Sequence, residues 1–182
     1  MSPDLDALWK VLKAADLICS AEQTTRAVHR LADEITRHMA ERFPLVLSVM
    51  GGGVVFTGQL LPLLHFPLEF DYIHVTRYRG TMHGGTVEWK VEPRRSLAGR
   101  VVLVVDDILD EGHTLAAIRE RLLQQGATAF YSAVFADKDI GRSKPIRADF
   151  IGVTVPDRYV FGFGMDVEGA WRNLPAVYAV KE

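Results

Sequence analysis

The sequence predicts an α/β protein in which a mainly parallel sheet is flanked by helices. Residues 101–105 form an apolar run without polar alternation, which is typical of a strand buried on both faces of a parallel sheet. A polar loop follows, and Leu115, Ile118 and Leu122 then recur at helical spacing. A second strand-glycine-helix unit begins at residues 45–49. The repeated order of strand, loop and helix favours parallel strands.

Two helices are predicted before the first of these strands. Ser2 and Pro3 are typical of the cap and the first position of a helix. Ser20 and Gln23 fit a capping box that opens a second helix, and Pro44 ends it.

The rest of the chain continues the alternation of strands and helices. The polar stretch 77–85 predicts a hairpin with a long tip, and Gly126 suits the end of a helix. Strands are predicted over 45–49, 70–76, 86–91, 101–105, 131–136 and 150–155, with a helix over 54–64.

Composition excludes several classes of function. The chain has 182 residues, enough for one domain, and its net charge of −2 gives no basic field for nucleic acid. The start of the chain is acidic, and no apolar run has the length needed to cross a membrane, so we expect a cytoplasmic protein. The single cysteine, Cys19, rules out an internal disulfide and suits a buried position.

Acidic residues follow the apolar strand directly. Asp106 and Asp107 come where open α/β sheets bind ligands, and the loop 110–114 leads into a helix. Main-chain N–H groups at such a helix start favour an anion, most often phosphate. An ordinary turn with an Asp cap and Gly112 is the alternative. This alternative is less favoured, because charged side chains at the end of a buried strand are costly unless a cation or a hydroxylated ligand binds there.

Three further signals are weaker when taken alone. The run Gly51-Gly52-Gly53 suits either a flexible turn or close backbone approach to a ligand. Lys138 follows a predicted strand, where spacing alone favours a solvated loop residue. Tyr159 suits core packing equally well.

The stretch VVLVVDDILDEGHT at residues 101–114 resembles the phosphoribosyl diphosphate (PRPP) signature of type I phosphoribosyltransferases, particularly the hypoxanthine-guanine enzymes. The resemblance extends over about residues 45–174. It implies the type I phosphoribosyltransferase fold as a single domain, with a core at about 22–155 and a small hood from 1–21 and 156–182. It also implies a mobile hairpin lid and a homo-oligomer, either a dimer or a tetramer.

The implied reaction joins hypoxanthine or guanine to PRPP, giving the nucleoside monophosphate and diphosphate with the help of Mg²⁺. Asp110 would be the general base at purine N7. Asp106 and Asp166 would be the residues that bind the metal. The residues implied for binding PRPP are Asp106, Asp107, Asp110, Glu111, Gly112, His113 and Thr114.

The resemblance assigns the remaining contacts as well. Gly51, Gly52 and Arg172 would bind diphosphate, with a cis peptide bond in the loop 50–53. Arg77 and Tyr78 would belong to the lid. The residues implied for binding the purine are Lys138, Tyr159, Val160 and Asp166, with Lys138 donating to the 6-oxygen and Tyr159 stacking on the ring.

Several positions depart from the family pattern, and two of them bear directly on phosphate binding. Glu111 stands where a small hydroxyl residue is usual, and a carboxylate beside a phosphate is repulsive. We therefore expect Glu111 to project into solvent or to pair with a nearby arginine. Gly51 stands where a basic residue is frequent, so backbone N–H groups would have to make any diphosphate contact there.

Two other functions fit the same signature. One is a phosphoribosyltransferase that prefers xanthine, which differs from hypoxanthine only at the 2-position. The other is a non-catalytic regulator that senses PRPP or nucleotides. A regulator would usually carry an added DNA-binding segment or a basic face, whereas Asp110 and Lys138 are both retained here.

Overall fold

A computed structural model describes residues 4–77 and 87–181 of the chain, with Arg77 described through its backbone. Ser2, Pro3 and the predicted lid residue Tyr78 lie outside the described residues. The helices are α1 Leu5–Ala14, α2 Ala21–Met39, α3 Val54–Leu60 and α4 His113–Gln124. The strands are β1 Asp16–Cys19, β2 Leu45–Met50, β3 Glu69–Arg77, β4 Val87–Val91, β5 Val101–Leu109, β6 Ala129–Asp139, β7 Phe150–Pro156, β8 Val160–Phe161 and β9 Val177–Ala179.

The main sheet has six strands in the order β4-β3-β2-β5-β6-β7. Its neighbouring strands run parallel, except that β4 at one edge is antiparallel to β3. This arrangement confirms the predicted α/β class with a mainly parallel sheet between helices.

The apolar run at the start of β5 is buried on both faces of the sheet. Leu103 and Val105 pack with α2 and α3 on one face, whereas Val102 and Val104 pack with α4 on the other. Successive side chains of a strand point to opposite faces, so a strand covered on both sides has to be apolar throughout.

Two predicted strands are longer than their apolar patterns. β5 continues to Leu109 and β6 to Asp139, because the parallel ladder between them runs on past Asp106 to the pair Leu109 and Asp137. Asp106, Asp107 and Lys138 therefore lie within strands and not in loops. The helix predicted over 54–64 ends at Leu60 and continues as a 3-10 turn, Leu61–Leu63.

The start of the chain forms α1 and a strand that the pattern did not predict. Asp4, and not Ser2, is the cap of α1, because its carboxylate accepts the backbone N–H of Asp6 at 3.0 Å. β1 is a short strand with two exposed residues, which leaves no clear alternation. It pairs with β9, and β9 pairs with β8, in a three-stranded sheet.

The second sheet is joined to the rest of the molecule by aromatic side chains. Phe163, which is fully buried, lies 4.2 Å from the ring of Phe135 in β6. Trp171 donates to the carbonyl of Leu8 in α1 at 3.2 Å and meets the ring of Trp9 edge to face. The segment between β8 and β9 is thereby fixed to both the main core and α1.

The capping box predicted for α2 is confirmed. The backbone N–H of Gln23 donates to Ser20 Oγ at 3.2 Å, and the backbone N–H of Ser20 donates to Gln23 Oε1 at 2.7 Å. The helix then buries Val28, Leu31 and Ile35 along one side.

Replacing Ser20 by Ala should destabilise the protein by about 1 kcal/mol, because an N-terminal donor of α2 loses its acceptor. For a chain of this size the melting temperature should fall by roughly 2–4 °C. Thermal unfolding followed by circular dichroism measures this. Ser20→Asp, which keeps an acceptor, is the control; an equal loss in both variants would contradict the capping role.

Candidate active site

Two glycine-containing segments meet around the carboxylate of Asp107. A β-carbon on Gly52 would lie 2.0 Å from Asp107 Oδ2, so a side chain has no room there. Gly164 has φ of +102°, and a β-carbon on it would lie 2.2 Å from the carbonyl oxygen of Gly52. The loop after β2 and the segment after β8 are thus in close contact at the carboxyl end of β5, as glycine allows.

Asp106 and Asp107 carry carboxylates whose ionisation is disfavoured. Burial, followed by the adjacent charge of Asp107, raises the pKa of Asp106 well above its ordinary value. Burial also raises the pKa of Asp107, an effect that its hydrogen bond with Asp106 and the charge of Arg172 oppose. A pair of this kind favours the approach of a cation or of hydroxyl donors.

A cavity of about 340 Å³ opens above these carboxylates. Its walls come from the ends of β2, β3 and β5 and from the first turn of α4, as expected for the carboxyl edge of a parallel sheet. The residues that line it are Val49, Met50, Gly51, Gly52, His74, Val75, Thr76, Asp106, Asp107, Ile108, Leu109, Asp110, Gly112, Thr114, Leu115 and Arg172.

The loop after β2 contains the cis peptide bond that the resemblance implied. The bond joins Met50 and Gly51, and both residues line the cavity. A β-carbon on Gly51 would meet no atom within 4 Å, so this residue faces open space.

The loop between β5 and α4 brings the start of a helix to the wall of the first cavity. Gly112 has φ of +86° and precedes α4 without a side-chain cap, which leaves the amino end of the helix directed at the cavity lined by Thr114. Glu111 pairs with Arg142 at 2.8 Å, which confirms the expectation that it would find an arginine. His113 is exposed as the first residue of α4.

A second cavity, of about 190 Å³, adjoins the first. The two share Asp107, Ile108 and Asp110 in their walls. The second is lined by Asp107, Ile108, Asp110, Lys138, Tyr159, Val160, Met165 and Asp166.

An ion pair stands where the two cavities join. Lys138 Nζ lies 3.1 Å from Asp110 Oδ2, and the lysine side chain is only 12% exposed. Tyr159 is 58% exposed, so it is not the core residue that its sequence also allowed, whereas Val160 is buried.

Arg172 is bound to the segment that follows β8. Its guanidinium donates to the carbonyl of Gly164 at 2.6 Å and pairs with Asp166 at 2.5 Å. The other oxygen of Asp166 accepts the N–H of Gly169 at 2.8 Å. Arg172 lines the first cavity and Asp166 the second.

The predicted metal residues lie in different cavities. Asp106 lines the first cavity, whereas Asp166 lines the second and has both oxygens engaged by Arg172 and Gly169. Within residues 4–77 and 87–181, no group of three or more His, Cys, Asp or Glu side chains is arranged to hold a metal. The adjacent carboxylates of Asp106 and Asp107 are nevertheless hard oxygen donors that fit Mg²⁺.

Most of the predicted site residues therefore line one of two adjoining cavities. Glu111 and His113 line neither of them, and the structure describes no side chain for Arg77 or Tyr78. The structure adds His74 and Thr76 at the end of β3. Their position could have been inferred, because parallel strands present their carboxyl ends at the same edge.

Comparisons with known proteins agree with this geometry. The model of the phosphoribosyl transferase domain matches residues 16–168. The chain is 32% identical to the hypoxanthine-guanine phosphoribosyltransferase of Bacillus subtilis over 91% of this chain and 92% of the relative. It is 33% identical to the hypoxanthine-guanine-xanthine phosphoribosyltransferase of Tritrichomonas foetus over 100% of this chain and 96% of the relative.

A solved structure is similar over nearly the whole chain. It is a hypoxanthine-guanine-xanthine phosphoribosyltransferase with a TM-score of 0.83 and 29% identity, covering 92% of this chain and 97% of that protein. The fold and the paired carboxylates at the end of β5 are those of a type I phosphoribosyltransferase. The chain therefore belongs to the phosphoribosyltransferase family, in its hypoxanthine-guanine group, as the signature predicted. In the part of the chain that the structure covers, none of the helices has the length and apolar character needed to cross a membrane.

Replacing Asp106 by Asn should stabilise the unliganded protein at neutral pH. The pKa of Asp106 is higher in the folded protein than in the unfolded chain. The wild-type protein therefore loses stability as the pH rises from the unfolded-state pKa to the folded-state pKa of this group. The stability that Asp106→Asn gains over the wild type should be largest at a pH above the folded-state pKa of Asp106. It should disappear toward pH 4, near the ordinary pKa of Asp at about 3.9. The expected result is a higher melting temperature for Asp106→Asn than for the wild type at neutral pH, by roughly 2–4 °C for each 1 kcal/mol of relief.

Melting curves at pH 7.5 and pH 4.5, without metal or substrate, measure this effect. Asp157→Asn changes an exposed carboxylate in the same way and serves as the control. An Asp106→Asn gain that is independent of pH, or a loss at pH 7.5, would contradict the burial argument.

Proposed function

We propose that this protein transfers the phosphoribosyl group of PRPP to hypoxanthine or guanine and releases diphosphate. The observation that carries the proposal is the junction of the two cavities at Asp107, Ile108 and Asp110. A polar cavity suited to a phosphorylated sugar meets a smaller one suited to a flat base at this point. The reacting carbon of the ribose would lie there.

In the first cavity, the loop 110–114 and the start of α4 would hold the 5′-phosphate. Asp110, Gly112 and Thr114 line this cavity, so their main-chain N–H groups and the Thr114 hydroxyl would be the donors, while Glu111 is paired with Arg142. Asp106 and Asp107 would accept the ribose hydroxyls. Such hydrogen bonds favour ionised carboxylates and offset the effect of burial.

The leaving diphosphate would lie at the opposite wall, against Gly51 and Gly52. Gly51, Gly52 and Arg172 all line the cavity, and the two backbone N–H groups and the guanidinium would be the donors. Arg172 already holds Gly164 and Asp166, so it is anchored on the segment after β8 while it reaches the cavity. A fixed cation of this kind stabilises the negative charge that develops on the departing group.

The base would occupy the second cavity. Lys138 Nζ would donate to the 6-oxygen of the purine, and Asp110 would accept the proton at N7 as the ribose bond forms. Tyr159 is exposed and available for stacking, and the backbone of Val160 would read the edge of the ring. Asp166 would complete this wall.

Mg²⁺ fits the oxygen donors of this site. Asp106 would lie beside the ion, with Asp166 contributing through water because Arg172 and Gly169 occupy its oxygens. When bound, Mg²⁺ would neutralise part of the diphosphate charge. Arg77 and Tyr78 would belong to a lid over this cavity.

The remaining properties of the protein follow from the same proposal. We infer a single domain with a core at about 22–155 and a hood from 1–21 and 156–182. The protein would act in the cytoplasm as a homo-oligomer, a dimer or a tetramer. Its partners would be PRPP, hypoxanthine and guanine, with neither nucleic acid nor membrane.

Xanthine is the second candidate acceptor. The Tritrichomonas foetus relative, which matches this chain along its whole length, is named for xanthine as well. Xanthine shares the 6-oxygen that Lys138 would read and differs only at the 2-position. Lys138 disfavours adenine, whose 6-amino group cannot accept its hydrogen bond.

A product assay tests the proposed function directly. PRPP and Mg²⁺ are supplied with hypoxanthine, guanine, xanthine or adenine in turn, and the nucleotide product is separated by chromatography. We expect IMP and GMP, and no AMP. If no base gave a nucleotide while PRPP still bound, the enzyme function would be rejected in favour of a PRPP sensor.

Asp110→Asn should lower kcat by about 10²–10⁴-fold, because the general base at N7 is lost. The affinity for PRPP should change little, since the N–H donors of the loop belong to the backbone. Steady-state kinetics and a PRPP titration separate the two effects. Glu88→Gln, in the exposed pair with Lys90, is the matched control. Near wild-type kcat in Asp110→Asn would remove Asp110 from the role of base.

A further inference from the structure

The loop between β6 and β7, residues 140–149, lies directly against the loop that follows β5. A β-carbon on Gly112 would lie 3.3 Å from Pro145 Cδ and 3.4 Å from Lys144 Cβ. The same two loops are joined by the ion pair between Glu111 and Arg142. The wall behind the proposed phosphate loop is therefore built from residues 142–146.

Lys144 is the most enclosed cation of this wall. Its side chain is 10% exposed, against 68% for Arg142. Its ammonium lies 2.6 Å from Asp137 Oδ1 and donates to the carbonyl of Leu109 at 2.7 Å. An ammonium that is largely enclosed and makes two short contacts is held in one place.

Both contacts of Lys144 adjoin residues of the proposed reaction. Leu109 immediately precedes Asp110, and Asp137 immediately precedes Lys138. Leu109 and Asp137 are direct neighbours in the ladder between β5 and β6. The ammonium therefore links the two strand ends just before their side chains form the Asp110–Lys138 pair at the junction of the cavities.

We propose that Lys144 is a positioning residue for the transfer reaction, which fixes Asp110 and Lys138 relative to each other through Leu109 and Asp137. Lys144 itself lines neither cavity of the site. It lines a different cavity, whose walls also include Leu109, Asp137 and Lys138. Its influence on a bound base is therefore indirect.

The inference rests on the proposed function, because it assigns the relative position of the proposed base and the proposed reader of the 6-oxygen. A small displacement of Asp110 from the N7 proton lowers the rate of transfer without removing a contact to PRPP. Lys144→Met keeps a side chain of similar length and removes the donors. It should reduce kcat on the order of 10- to 100-fold while leaving the KM for PRPP nearly unchanged.

The control for a general loss of stability is Arg100→Met. Arg100 forms a partly buried ion pair with Glu69 at 2.5 Å, at the opposite end of β5. Its replacement removes a comparable pair while leaving the carboxyl edge of the sheet unchanged. It should lower the melting temperature and keep kcat at the wild-type value.

A double variant separates positioning from simple charge balance. Asp137→Asn combined with Lys144→Met leaves no unpaired carboxylate, so it should recover stability but still lack the bond to the Leu109 carbonyl. A kcat that stays low supports the proposal. A kcat restored to the wild-type value would overturn it, because Lys144 would then act only by neutralising Asp137.

Hydrogen exchange provides a readout that needs no activity. The peptide covering residues 109–115 should exchange faster in Lys144→Met than in the wild type and in Arg100→Met, as expected when a loop loses its anchor. Equal exchange in all three proteins, or equal kcat in Lys144→Met and wild type, would overturn the positioning role. If the wild type formed no nucleotide with any base, the proposed function would fail, and the exchange rates would still decide whether Lys144 anchors the loop.

Discussion

The placement of two adjacent carboxylates at the end of a buried strand is the constraint around which the site is built. Asp106 and Asp107 continue the apolar strand β5 and remain in the ladder with β6. Burial raises the pKa of both groups, so the free protein holds them at an energetic disadvantage. Gly52 and Gly164 fill the space beside Asp107. A cation or a hydroxyl group that stabilises the two carboxylates can therefore reach them only from the cavity.

Strand register sets the positions of the groups at the junction of the two cavities. In the parallel ladder of β5 and β6, Leu109 lies opposite Asp137. The next residues, Asp110 and Lys138, consequently meet as an ion pair at 3.1 Å. A slip of one residue would move every side chain of the strand to the opposite face of the sheet. The tight packing of Val102 to Val105 between two helical layers opposes such a slip.

Sequence patterns predicted the central part of the fold because that part follows simple periodicities. The apolar run 101–105 and the capping box at Ser20 led directly to β5 and α2. Patterning failed where tertiary pairing decides the structure. Residues 106–109 remain a strand because β6 continues beside them, and β1 exists because β9 pairs with it.

For the site, too, local sequence patterns predicted some residues, whereas others depend on tertiary structure. The acidic pair and the loop 110–114 are local signals, so their place could be inferred from spacing. The place of Lys138 in the second cavity could not be predicted from spacing, which favoured a solvated loop residue; only the resemblance to a family pointed to it. The bonds of Lys144 to Leu109 and Asp137 depend on how a distant loop folds back, which no local pattern records.

The pairing of β1 with β9 has a consequence for synthesis on the ribosome. About 160 residues separate the two strands, and at roughly 5–20 residues per second this takes on the order of 8–30 s. During that time Leu17 and Cys19, which will later pair with Tyr178 and Val177 of β9, lack these partners. An unpaired strand edge of this kind is a binding surface for other extended chains. The edge of β1 therefore stays without its native partner until residues 177–179 have been synthesised.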